Sequence, residues 1–206
     1  MKNMKKVITI LLLFCGFVSV ANAQSASEAK KVLDKTAAIV GRSSGASANF
    51  SISSGKYATA NGKIAIKGKM FHASTDNAIV WFNGKTQWTY MKKNNEVNVS
   101  NPSEAKQVAM NPYTFITMYR NGYDLGMTTV GNNYQVHMKA KNEKRNVQEM
   151  YIMIDKKTYI PHQVKVLQNN QWATIKISNF KSKNQPNSLF TFNAKDFPSA
   201  EVIDLR

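Results

Sequence analysis

The chain has 206 residues, with 28 Lys and Arg against 12 Asp and Glu and a formal charge of +16. Its one cysteine, Cys15, excludes a disulfide framework, and a 43% hydrophobic content excludes a disordered chain. The basic balance admits nucleic acid, an anionic membrane surface or an acidic partner.

The first 23 residues read as an export leader. Lys2, Lys5 and Lys6 form a basic start, ITILLLFCGFVSVA is the apolar centre, and Ala21-Asn22-Ala23 offers a cleavage site. Phe14 before Cys15 is too bulky for a lipidation signal. The expectation is a cleaved leader, 1–23, and one soluble exported domain, 24–206. Export argues against nucleic acid. The lysines are spread along strands, as in KIAIKGK and QVKV, like solvated faces rather than a binding arm. Weak attraction to anionic lipid headgroups stays open.

The stretch SASEAKKVLDKTAAIV predicts an amphipathic helix capped by Ser27, with Ala29, Val32, Leu33, Thr36, Ala37 and Val40 on one side. NFSIS and GKIAIKG alternate as strands, with SSGKYATANG between them. WFNGKTQWTY then predicts a hairpin with a two-residue turn at Asn83-Gly84. That turn pairs Trp81 with Thr86 and Ile79 with Trp88. It places Ile79, Trp81, Thr86, Trp88 and Tyr90 on one side and Val80, Phe82, Lys85, Gln87 and Thr89 on the other.

The pattern changes at NPSEAKQVAMNPYTFITMYRNGY. Asn101 with Glu104, and then Asn111 with Pro112, are successive helix starts, and Gly122 is a stop. Phe115, Ile116, Met118 and Tyr119 form an apolar stripe. Strand patterns return at YQVHMKA, MYIMID, HQVKVLQ and WATIKISNF, ending with SLFTFNA. Short connections favour sequential antiparallel neighbours. The expected fold is α+β: one large antiparallel sheet, strongly curved, with an N-terminal helix and a mid-chain helical insert as the candidates to cover its apolar face.

Chemistry is sparse. His72, His137 and His162 lack metal-ligand spacing, and no nucleophile elbow, phosphate loop or dinucleotide fingerprint occurs. The expectation is no catalytic residue, no metal and no cofactor. Ten methionines supply adaptable apolar volume, which suits core filling and binding surfaces alike.

The segment Asn83-Gly84-Lys85-Thr86-Gln87-Trp88-Thr89-Tyr90 resembles the Asn-Gly-Lys-Thr-x-Trp-x-Tyr pattern of the LolA family of periplasmic lipoprotein carriers. The order of elements and the ending LFTFNAKDFPSAEVIDL are also similar. The resemblance implies an incomplete antiparallel β-barrel lidded by these helices, a half-barrel whose cavity takes the acyl chains of lipoproteins, with no enzyme activity and a periplasmic location. Its partners would be acylated lipoproteins, an inner-membrane LolCDE-type ABC transporter, and a LolB-like acceptor or the outer-membrane lipid surface. Ile79, Trp81, Trp88, Tyr90, Phe115, Ile116, Met118 and Tyr119 are then the expected cavity and lid residues. The family's latch arginine has no counterpart, since the matching segment reads Lys67-Gly68-Lys69. Alternatives are a periplasmic lipid-binding sensor or regulator with the same fold, the lipid-anchored acceptor itself, and an exported hydrolase.

Overall fold

The computed structural model describes residues 24–55, 57–103 and 112–206. The expected leader, Glu104 and Asn111 lie outside them; Asn101 and Pro102, the expected start of the first helix, are described and not helical, the Asn101 side chain accepting from the Thr86 hydroxyl at 2.9 Å.

Residues 24–40 form helix α1. Six strands follow: β1 (Ala46–Ser54), β2 (Tyr57–Lys67), β3 (Met70–Thr75), β4 (Ala78–Phe82), β5 (Gln87–Met91) and β6 (Glu96–Ser100). Helix α2 (Pro112–Thr117) runs into a 3₁₀ turn, Met118–Arg120. Then come β7 (Tyr123–Val130), β8 (Asn133–Ala140), β9 (Val147–Asp155), β10 (Pro161–Gln168), β11 (Gln171–Ser182) and β12 (Glu201–Asp204). All these strands join one sheet in the order β12-β6-β5-β4-β3-β2-β1-β11-β10-β9-β8-β7. Two antiparallel meanders, β1–β6 and β7–β11, are therefore stitched together where β1 meets β11. The sheet curves without closing, so the expected lidded half-barrel is the fold.

Strand alternation puts one apolar residue in two on the inner side. The register carries that side without interruption from Val80 through Ala73, Ile64 and Ala48 on the first meander. On the second it runs from Ile175 through Val164 and Ile152 to Val136 and Met127. A bulge opposite Ser47 and Asn49, with Asn179 at φ 52°, helps the sheet bend.

Helix α1 lies along this concave side on the residues its periodicity predicts: Ala29, Val32, Leu33, Thr36, Ala37 and Val40 are all buried. Its first half joins a core with Val136, Met138, Met150, Ile152 and Ile154. Its second half joins a separate core of Ile66, Phe71, Phe82 and Ile116. Each buried aliphatic chain stabilises the assembly by about 1.5–3 kcal/mol.

Four local expectations are corrected. Helix α1 already includes Gln24, so Ser27 is interior. Ser25 instead ties the helix start to the β7 edge, its hydroxyl accepting from the Met127 N–H at 3.0 Å and donating to the Met127 carbonyl at 3.2 Å. The hairpin loop is Asn83–Thr86, not two residues, because the Asn83 side chain accepts from the N–H groups of Lys85 (3.0 Å) and Thr86 (2.9 Å). Much of SSGKYATANG is strand β2. Finally, SLFTFNA is not a strand: Asn187–Phe190 is a 3₁₀ turn with Phe190 wholly buried. The closing strand is β12, laid parallel on β6.

Gly62 is required opposite Phe50. A Cβ there would sit 2.5 Å from the Phe50 ring and 2.5 Å from the Ser74 carbonyl oxygen. Gly62→Ala is expected to destabilise the protein by about 1–3 kcal/mol through overpacking, read as a lower midpoint in urea unfolding.

Candidate functional site

Among the described residues, the concave face is not filled between the two cores. A cavity of about 440 Å³ lies there, within the range of about 300–1,000 Å³ for ligand sites. Its walls are strand residues of the inner face, among them Ile52, Ile64, Val80, Val164, Ile175 and Ile177, with Phe50 and Phe180. Helix α1 contributes Val40, and α2 contributes Phe115 and Ile116. No Asp, Glu, Lys, Arg or His borders it among the described residues. Such a space can shelter a hydrocarbon.

Exposure varies along the cavity. Val40, Ala46, Ile66 and Phe71 at one end are buried, whereas Phe50, Ile52, Gln168 and Ala173 toward the other are half-buried. The hollow therefore opens toward the β10–β11 turn. Gln168, next to that turn, is a polar side chain on its rim.

The expected site residues divide. Phe115 and Ile116 reach the cavity. Met118 and Tyr119 pack beside it against the core under β7–β10. The hairpin aromatics do not reach it. Ile79 pairs with Tyr90 and Trp81 with Trp88, so these four share a side, but Val80 and Phe82 hold the concave one. The grouping survives the longer loop because the register moves by two residues, which preserves the facing. Its assignment to the cavity is corrected: the group lies on the convex side. Composition misled here, since the bulkier set belongs to the outer face.

The partner of that outer group is the C-terminal segment. Trp81 meets Phe192 (5.4 Å) and Phe197 (5.5 Å) edge-on, and Tyr90 lies 4.7 Å from Phe197. His72 sits 5.6 Å from Trp81, and burial pushes its imidazole below the ordinary range. The Tyr90 hydroxyl donates to the Asn95 side chain (3.0 Å), whose amide donates to the Ser199 carbonyl (2.7 Å). Lys67, at the position where the resembled family has its latch region, donates to the Gln185 carbonyl and the Asn187 side chain, each at 2.9 Å. It holds the tail, not the lid.

The lid is held elsewhere. The Tyr119 hydroxyl donates to the Asp34 carboxylate on α1, and Arg120 stands 3.8 Å from the same oxygen. Lys30 donates to the other oxygen at 3.1 Å. The Tyr119 hydrogen bond, followed by the Lys30 contacts, holds the Asp34 carboxyl below the usual carboxylate range, while burial and Asp34 push the Tyr119 phenol up. The tyrosine end of the expected stripe was legible in the sequence; its carboxylate partner, 85 residues earlier, was not.

Residues 19–171 match the family described as outer membrane lipoprotein carrier protein LolA. No curated protein matches the sequence. Among solved structures, an uncharacterized conserved protein from Thermus thermophilus is similar at a TM-score of 0.59 and 14% identity, covering 86% of this chain and 99% of that one. A LolA superfamily protein from Nitrosomonas europaea is similar at 0.45 and 10%, covering 80% and 97%. The MucA/MucB complex structure from Pseudomonas aeruginosa gives 0.45 and 12%, covering 82% of this chain and 62% of that one. At such identities the Thermus likeness speaks for the fold alone.

Two outcomes are expected. Trp81→Ala should free the tail, costing about 3–5 kcal/mol and exposing the Lys183–Asp196 stretch to limited proteolysis ahead of global unfolding. Asp34→Asn should loosen the lid by about 1 kcal/mol, a figure kept small because the carboxylate is partly solvated. Faster amide exchange at 118–122 is the readout. The same bond has a pH sign: since the folded carboxyl titrates below its unfolded value, its contribution is complete above that unfolded value and fades as pH falls through the folded one.

Proposed function

The chain belongs to the outer membrane lipoprotein carrier protein LolA family, and on that premise we propose that it is a non-enzymatic periplasmic carrier that shields acyl chains of lipoproteins. The observation that carries the proposal is the hollow of about 440 Å³ under the lid, which no charged side chain borders among the described residues. Benzene fills an apolar cavity of about 150 Å³, roughly 25 Å³ per carbon. On that scale the hollow accommodates about 18 carbons, one long acyl chain.

The energetics suit a carrier. Hiding one methylene is worth about 0.8 kcal/mol, so a sixteen-carbon chain gains about 12 kcal/mol when fully sheltered. Transfer nevertheless needs release, and a lid that closes over the hollow when no cargo is present competes with cargo. Phe115 and Ile116 are on the covering helix, and the Asp34–Tyr119 contact closes it. Further chains of one lipoprotein would need the lid to swing away from β1 and β11. In this scheme a LolCDE-type inner-membrane transporter loads the carrier, and a LolB-like acceptor or the outer-membrane lipid surface receives the cargo.

The test is co-purification of acylated proteins with the periplasmic protein, identified by mass spectrometry. Phe115→Asp puts a charge against the hollow, and Ala173→Phe fills it. Both are expected to lower bound acylated protein at least tenfold with the circular dichroism of the sheet unchanged. Recovery of free lipids alone would replace the reading with a lipid shuttle, and recovery of a membrane-anchored signalling protein would replace it with a regulator.

A further inference from the structure

The convex side of β8–β11 is built differently from the convex side of β3–β6. Among the described residues no tail covers it, and it is aromatic and basic. The pairing Lys139–Glu149–Leu167–Trp172 makes one outward row, and His137–Tyr151–Lys165–Thr174 makes the next. Lys176 follows one row further on, opposite Gln163. The rings form a continuous platform: His137 stacks on Tyr151 at 4.5 Å with planes 6° apart, and Tyr151 lies 6.0 Å from Trp172. Lys165 holds its ammonium 4.6 Å above the Trp172 ring. Lys139, Lys165 and Lys176 are exposed, while Tyr151 and Trp172 are half-buried.

These rows carry one carboxylate against those three lysines. Glu149 is already engaged, accepting from the Tyr151 hydroxyl at 2.8 Å and meeting His137 Nε2 at 2.7 Å. The surface thus presents net positive charge together with amphipathic rings that bury their bodies and keep polar tips wet. Tryptophan, tyrosine and lysine in this mixture suit the headgroup layer of a bilayer, where the ammoniums meet lipid phosphates and the rings sit at the boundary. A broad surface of paired strands fits a planar partner better than an acidic peptide, which needs a groove or a free strand edge.

Position adds a second argument. Trp172 and Leu167 are directly paired across the β10–β11 hairpin, and their chain neighbours Ala173 and Gln168 line the half-open end of the cavity. One hairpin therefore carries the cavity rim on its inner face and the aromatic–basic platform on its outer face.

We propose that the convex face of β8–β11, centred on Tyr151, Lys165, Trp172 and Lys176, docks on an anionic phospholipid bilayer and brings the open end of the hollow to the membrane. The chemistry is headgroup recognition and shallow insertion of the indole, with no bond made or broken. It is independent of whether acylated proteins are the cargo.

The experiment is co-sedimentation of the leader-free protein with vesicles of phosphatidylcholine, with and without phosphatidylglycerol, at low and high salt. Binding is expected to the anionic vesicles at low salt and to weaken at high salt. Each lysine near such a surface is worth about fivefold in affinity, so Lys165→Glu/Lys176→Glu should lose roughly 25-fold or more. Lys93→Glu, at the exposed β5–β6 turn far across the sheet, should lose much less. Trp172 emission should shift to the blue on binding and be quenched by brominated lipid, and Trp172→Ala should remove the quenching while the Lys93 variant retains it. Equal binding to neutral vesicles, equal losses for the Lys93 variant, or no binding at low salt would overturn the proposal. Binding of polyglutamate to the same lysines without vesicle binding would overturn it in favour of an acidic protein partner. Loss of vesicle binding with acylated cargo retained would defeat this inference alone.

Discussion

The structure depends on one unbroken apolar surface, the inner side of a curved sheet that runs from Val80 to Met127. Bare in water, such a face would cost far more than the marginal stability of a domain permits. Among the described residues two helical pieces cover it, and they differ in kind. Helix α1 is long, continuous with the cores at both of its halves, and anchored at the β7 edge through Ser25. Helix α2 is six residues long, too short to hold itself helical without tertiary contacts. Between the α1 brace and the described part of the insert, the middle of the sheet borders the hollow.

The outer side divides along the same stitch between β1 and β11. On the first meander the C-terminal segment packs Phe192 and Phe197 onto Trp81 and extends the sheet through β12. There the large aromatics are structural. On the second meander comparable residues, Tyr151 and Trp172, stay half-exposed among lysines. The same residue types therefore serve as a core on one half of the convex face and as a surface on the other, and only the path of the tail separates the two roles.

Ion pairs contribute little to the fold at large, as exposed pairs generally do. Asp34 is the informative exception because it gathers Tyr119, Lys30 and Arg120 at the point where the insert returns to the sheet. It stands at the foot of the lid, where a modest and reversible contact is more useful than a buried one. Lys67 shows the complementary case, since it is committed to the tail through Gln185 and Asn187 and leaves the lid to other groups.

Local periodicity was enough to place the buried side of α1 and the alternating strands of one antiparallel sheet, because side-chain facing follows directly from 3.6-residue and two-residue repeats; the half-barrel class came from the family resemblance. The pairs that share a face in the Trp81–Tyr90 hairpin were equally legible, since a slip by two residues leaves facing unchanged. What the sequence could not decide was which of the two faces would curve inward. Alternation treats both sides alike, and curvature is chosen by the whole set of pairings, by the bulge at β11 and by which helices arrive to cover which side. The hollow itself, the tail lying over Trp81, and the meeting of Asp34 with Tyr119 all arise from contacts between distant segments, so they exist only once the whole sheet has assembled and bent.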